Sequence, residues 1–124
     1  MSLNADNFQE TYAAWLDAGD PKEKAKLESI LRTSLRDTWR VSEAGTRKAI
    51  LDFVVLTMEG DFDLVLEALR DRDTEVATLA LSTTALLVWN GVKFEPERLG
   101  VELDAFAMRH PDWRHVCTSI SRRL

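Results

Sequence analysis

His110, His115 and Cys117 gather two proton-transfer groups and a thiol into one short stretch, the residue types of a nucleophilic or zinc site. Their spacing works against both. On a helix His115 and Cys117, two positions apart, point to nearly opposite sides, and the histidines are five apart rather than the three or four that align side chains on one ion. Cys117 falls in line with Val116 and Ile120, so it is expected to pack as a small, inert hydrophobe.

Two acidic runs invite a calcium reading. Asp71, Asp73 and Glu75 alternate as at the start of a calcium loop, but such a loop needs Gly at its sixth place and Glu at its twelfth, where Val76 and Ser82 stand. Glu59, Asp61 and Asp63 fail in the same way at Leu64. Acids at these places suit helix N-termini, where they meet unpaired N–H groups and the positive end of the helix dipole. No Gly-rich phosphate loop, nucleophile elbow or His-Glu-x-x-His zinc motif is present. The expectation is no metal, no cofactor and no catalytic residue.

The elements that must position these groups are read from apolar spacing. Phe8, Tyr12, Trp15 and Leu16 make one helical face, with Asp6 and Gln9 as a candidate capping box. Gly19 closes that helix, and Asp20-Pro21-Lys22-Glu23 opens the next with an N-cap, a first-turn proline and an acid. Leu27, Ile30, Leu31 and Leu35 stripe the second helix, which ends near Trp39. Ser42 caps a third carrying Ile50, Leu51, Val54, Val55 and Met58, reinforced by Phe53 and Leu56 and stopped by Gly60; a buried strand over 53–56 is the alternative. Phe62, Val65, Leu66 and Leu69 give a short fourth helix. The uncharged run from Val76 to Val92 predicts a helix over 74–90 that is apolar on nearly all sides, and therefore surrounded. Asn90-Gly91 ends it. Pro96 starts a helix lined by Leu99, Leu103, Phe106 and Ala107, and Pro111-Asp112 starts a last one with Trp113, Val116, Cys117, Ile120 and Leu124.

The whole is an all-α chain of 124 residues, expected as one domain over 1–124 with residues 1–5 loose and Met1-Ser2-Leu3 compatible with an expression scar. Sixteen Lys and Arg against twenty-one Asp and Glu give a net charge of −5, which disfavours nucleic acid, whose binding needs a basic face, and suits a basic protein partner. A single cysteine points to a reducing, cytoplasmic setting. The uncharged run is interrupted by Ser82, Thr83, Thr84 and Asn90 and is too short for a membrane span.

Leu35-Arg36-Asp37 recurs as Leu69-Arg70-Asp71 and more loosely as Met108-Arg109-His110, each expected at a corner between helices. Asp37-Thr38-Trp39-Arg40 is echoed by Pro111-Asp112-Trp113-Arg114. The segment Leu66 to Ala80 resembles the corner of a HEAT-like α-α repeat: Leu69, then Asp71 and Asp73 in the turn, then Val76 and Ala80 facing inward. That resemblance implies a compact stack of antiparallel helix pairs, a HEAT-like superhelix; an irregular six- to seven-helix bundle around the helix at 74–90 is the other arrangement the pattern allows.

The leading expectation for function is a non-enzymatic protein–protein interaction module, in a sharper form a neutralising, immunity- or antitoxin-like partner of a basic protein. Its expected contact residues are Glu59, Asp61, Asp63, Asp71, Asp73 and Glu75, with Trp39 or Trp113 as apolar anchor. A small-molecule or enzymatic helical domain with a pocket between helices, and a structural homo-oligomer subunit, are the alternatives. The sequence does not fix the oligomeric state.

Overall fold

A computed structural model describes residues 5–59 and 61–124. The expectations for the first residues and for Gly60 as a helix stop lie outside the described residues. Those described are helical with short connections, without a strand, and 53–56 is helix. No helix among them is long and apolar enough to cross a membrane. They form two compact units, one reaching to Asp61 and one running Phe62–Leu124.

The first unit packs α1 (Ala5–Asp17) and α3 (Ala44–Thr57) with the long α2 (Pro21–Arg40). Phe8 and Trp15 bury one face of α1, and Trp15 meets Phe53 of α3 edge-on at 5.2 Å, the geometry a ring quadrupole favours. Leu16, expected beside them, is exposed because it lies past the edge of that stripe. Gln9 does not close a capping box with Asp6; its Nε2 donates to Thr46 Oγ1 of α3 at 2.6 Å. The start of α2 is as expected: Asp20 is the N-cap, its carboxylate accepts from the Lys22 N–H, and Pro21 occupies the first turn.

Three details of this unit depart from expectation. Leu35-Arg36-Asp37 is no corner, since α2 runs unbroken through it to Arg40. Nothing there removes a backbone donor, so the intrahelical ladder continues. Ser42 turns back to donate to the Thr38 carbonyl, and Glu43 takes the N-cap place of α3 without a side-chain bond. At the far end α3 stops at Thr57; Met58, expected on the apolar face, takes the left-handed conformation at φ 53°, and Leu56 is solvent-exposed.

The second unit contains α4 (Phe62–Ala68), α5 (Thr74–Trp89), α6 (Pro96–Arg109), a 3₁₀ turn at Pro111–Trp113 and α7 (Arg114–Ser121). Val65, Leu66 and Leu69 are buried, while Phe62 is half-buried against the ring of Phe94 at 5.7 Å. Asp73 caps α5 by accepting from the Val76 N–H, and Asp71 accepts in turn from the Asp73 N–H, so both carboxylates are committed to the α4–α5 corner. In α5 the residues Val76, Ala77, Ala80, Leu81, Thr83, Thr84, Ala85 and Leu87 are buried against neighbours that include α4 and α7.

That helix is not shielded on every side. Ser82, Leu86 and Trp89 follow at i, i+4 and i+7 and form one exposed stripe. Asn90-Gly91 ends it as expected. Gly91 adopts φ 89°, its N–H donates to the Val88 carbonyl and that of Val92 to Leu87, the crossed pair that closes a left-handed helix terminus.

Candidate functional site

Pro96 starts α6 at its first position, and Leu99, Glu102, Leu103, Phe106 and Ala107 form the buried stripe. Val101, Asp104 and Met108 lie on the other side at i, i+3 and i+7, which a 3.6-residue period places on one face. Val101 is 66% and Met108 80% exposed. An isolated exposed apolar residue is ordinary, but two that share a face, one to either side of a carboxylate, make a patch.

After α6 the chain cannot continue its helix, because Pro111 lacks the N–H the ladder needs. The 3₁₀ turn that results lifts Asp112 and Trp113 off any helical stripe, and Trp113 stands 37% exposed. Between α6 and α7 lies a cleft of 460 Å³ whose walls include Asp104, Ala107, Met108, Arg114 and Cys117. Among the described residues Asp104 and Asp112 make no ion pair, and both are exposed. Arg114 adds one charge of opposite sign.

The face is held from behind by a clamp. Arg70, at the end of α4, makes a forked contact with the buried carboxylate of Glu102 on α6, with Nε at 2.9 and 3.1 Å and Nη2 also bonded. Arg109 Nη2 donates to the Leu69 carbonyl at 3.1 Å. The Arg70 hydrogen bonds hold the Glu102 carboxyl below the ordinary carboxylate range against the opposing effect of burial, with Arg109 and Arg98 adding attraction. Both contacts fix α6 to the α4–α5 corner, so the exposed side of α6 is presented from a rigid support.

The acids expected from sequence are placed otherwise. Glu59 and Asp61 belong to the first unit, where Arg32 pairs with Glu59 at 2.7 Å and Arg36 with Asp61 at 2.7 Å. In the second unit Asp63 pairs with Arg98 at 2.6 Å, Asp71 and Asp73 cap the corner, and Glu75 is exposed in the first turn of α5. Most of these carboxylates are engaged inside the molecule. Trp39 is 4% exposed, with the Arg47 guanidinium 4.8 Å from its ring centre, and it cannot anchor a partner. Of the two candidate anchors only Trp113 is accessible.

Val101, Asp104 and Met108 are not among the residues expected from sequence, although the exposed pair carries a signal there: two apolar residues seven apart, off the Leu99, Leu103, Phe106 stripe. The histidines and the thiol are not assembled into one site. His110 packs on the Phe106 ring at 4.6 Å, His115 is exposed, and of the three only Cys117 lines the cleft. Burial, and then Asp104, push its thiol above the usual range, which keeps it protonated and poorly nucleophilic at neutral pH. Among the described residues no three His, Cys, Asp or Glu side chains group so as to hold a metal ion.

No family model matches the chain, and comparison with curated proteins and with solved structures gives no significant match.

Proposed function

We propose that the protein is a non-enzymatic interaction module of the cytoplasm, built on a HEAT-like α4–α5 pair, which binds a basic protein through the exposed side of α6 and the turn that follows it. The observation that carries this reading is the pairing of large exposed side chains, Val101, Met108 and Trp113, with the unpaired carboxylates of Asp104 and Asp112. Interfaces concentrate binding energy in a few aromatic and Met anchors ringed by polar groups, and charge of one sign selects partners of the other. A neutralising partner of a basic toxin or nuclease is the sharper form of the same proposal. The engaged acids Asp71 and Asp73 serve as scaffold, and the contact surface moves from them to α6.

A photo-crosslinking residue at Val101 tests this in cells. The reading expects capture of a basic protein that is weakened by salt and lost when Asp104→Lys and Met108→Lys are combined. Undiminished capture by that double variant, or capture of acidic proteins only, would overturn it. The volume of the α6–α7 cleft lies within the range of small-molecule sites, roughly 300 to 1,000 Å³, and favours the pocket reading as second choice. A metabolite that shifts the Cys117 and Thr118 amide signals without a protein partner would favour it over the first.

A further inference from the structure

At the other end of α5 the chain turns through Gly91 and runs back past Val92 to Phe94 before α6 begins. This return leaves a cleft of 240 Å³ with Val88, Val92, Phe94 and Leu124 as apolar wall and Lys93 and Arg123 as its cations. No side-chain carboxylate lines it. Arg123 also reaches over the ring of Trp89, its guanidinium 5.7 Å from the centroid, and Trp89 is 46% exposed. Arg32, Arg36, Arg70 and Arg98 each pair with a carboxylate, whereas Lys93 and Arg123, like Lys22, Arg40 and Arg72 elsewhere on the surface, pair with no carboxylate among the described residues, and here two such cations share one cleft.

We propose that this cleft is a second docking surface, selective for an acidic peptide segment that inserts one aliphatic side chain beside the cations. Size and charge together choose the occupant. The cavity falls below the roughly 300 Å³ at which small-molecule sites begin, so it admits a side chain rather than a whole ligand. Lys93 and Arg123 reward carboxylates on either side of that residue, and the exposed ring of Trp89 beneath Arg123 offers an apolar surface at the rim. The surface is opposite in sign to the α6 face, so the two would take different partners.

The test is an amide and indole NMR titration of the whole chain with a short capped peptide in which leucines alternate with glutamates. Saturable shifts are expected at the Gly91 and Lys93 amides and the Trp89 indole N–H, with Met108 and Trp113 unmoved. Combining Lys93→Glu with Arg123→Glu, both on exposed positions and checked for retained helicity, should weaken binding roughly tenfold or more. Replacing the peptide leucines with alanine should abolish saturation. Equal response to the lysine version of the peptide, shifts indifferent to the double variant, or a response to phosphatidylglycerol vesicles with none to the peptide, would each overturn the proposal.

Discussion

Trp39 and Trp113 sit in matching tetrapeptides, Asp-Thr-Trp-Arg and Pro-Asp-Trp-Arg, yet one is core and the other surface. The first tetrapeptide lies in the last turns of α2. There Trp39 continues the Leu31, Leu35 series at four-residue steps and is carried onto the buried face. In the second, Pro111 ends the helix two residues before the tryptophan, and the 3₁₀ turn takes Trp113 off the stripe. Burial is thus set by whether the backbone ladder runs through the motif, and local sequence similarity does not predict it.

Four substitutions break or sharpen this contrast. Trp39→Ala should cost about 3 to 5 kcal/mol of unfolding free energy, the usual result of emptying a buried aromatic site. Chemical denaturation measures it, and a loss no larger than that of Trp113→Ala would erase the distinction. Glu102→Gln, which cuts the clamp behind α6, should cost about 1 to 2 kcal/mol at neutral pH, because a neutral amide replaces the buried carboxylate and the charge-assisted fork is lost, while water rehydrates the more exposed Arg70 and limits the loss. Arg70 lowers the Glu102 carboxyl from its ordinary 4.5, so the clamp stabilises fully above that pH and is lost as pH falls through it toward the folded value. The Gln variant should therefore show a flatter acid limb in a plot of melting temperature against pH; an unchanged limb would mean that the clamp contributes nothing.

Asp73→Ala should cost about 1 kcal/mol through loss of the α5 cap, with reduced hydrogen-exchange protection confined to the first turn of that helix. Smallest of all, Trp113→Ala should alter stability by no more than about 0.5 kcal/mol while removing the crosslinked partner captured from Val101. A large stability loss there would put Trp113 back among core residues.

Helix order was legible because its signals are local. Asp20-Pro21 and Asn90-Gly91 carry their own caps, and Pro96 and Pro111 mark their own starts, so each boundary follows from a few neighbouring residues. The face each helix buries was harder to read. Leu16 and Leu56 lie at the edge of apolar stripes, where tertiary packing decides exposure and periodicity does not. The engagement of the acidic residues was hidden for a related reason: a carboxylate seen in sequence shows its charge but not its partner, and Arg32, Arg36 and Arg98, distant in the chain, pair with Glu59, Asp61 and Asp63. Val101 and Met108 were readable, since an apolar pair on the polar face of a helix has no role in its own core.

The contrast between the two tryptophans is tested most directly by adding a soluble paramagnetic agent to the labelled protein and following all four indole N–H signals. Trp113 and Trp89 should broaden strongly, with Trp39 and Trp15 left sharp. Broadening of Trp39 to the same degree as Trp113 would contradict the placing of the exposed tryptophan in the α6–α7 turn and of the buried one at the end of α2.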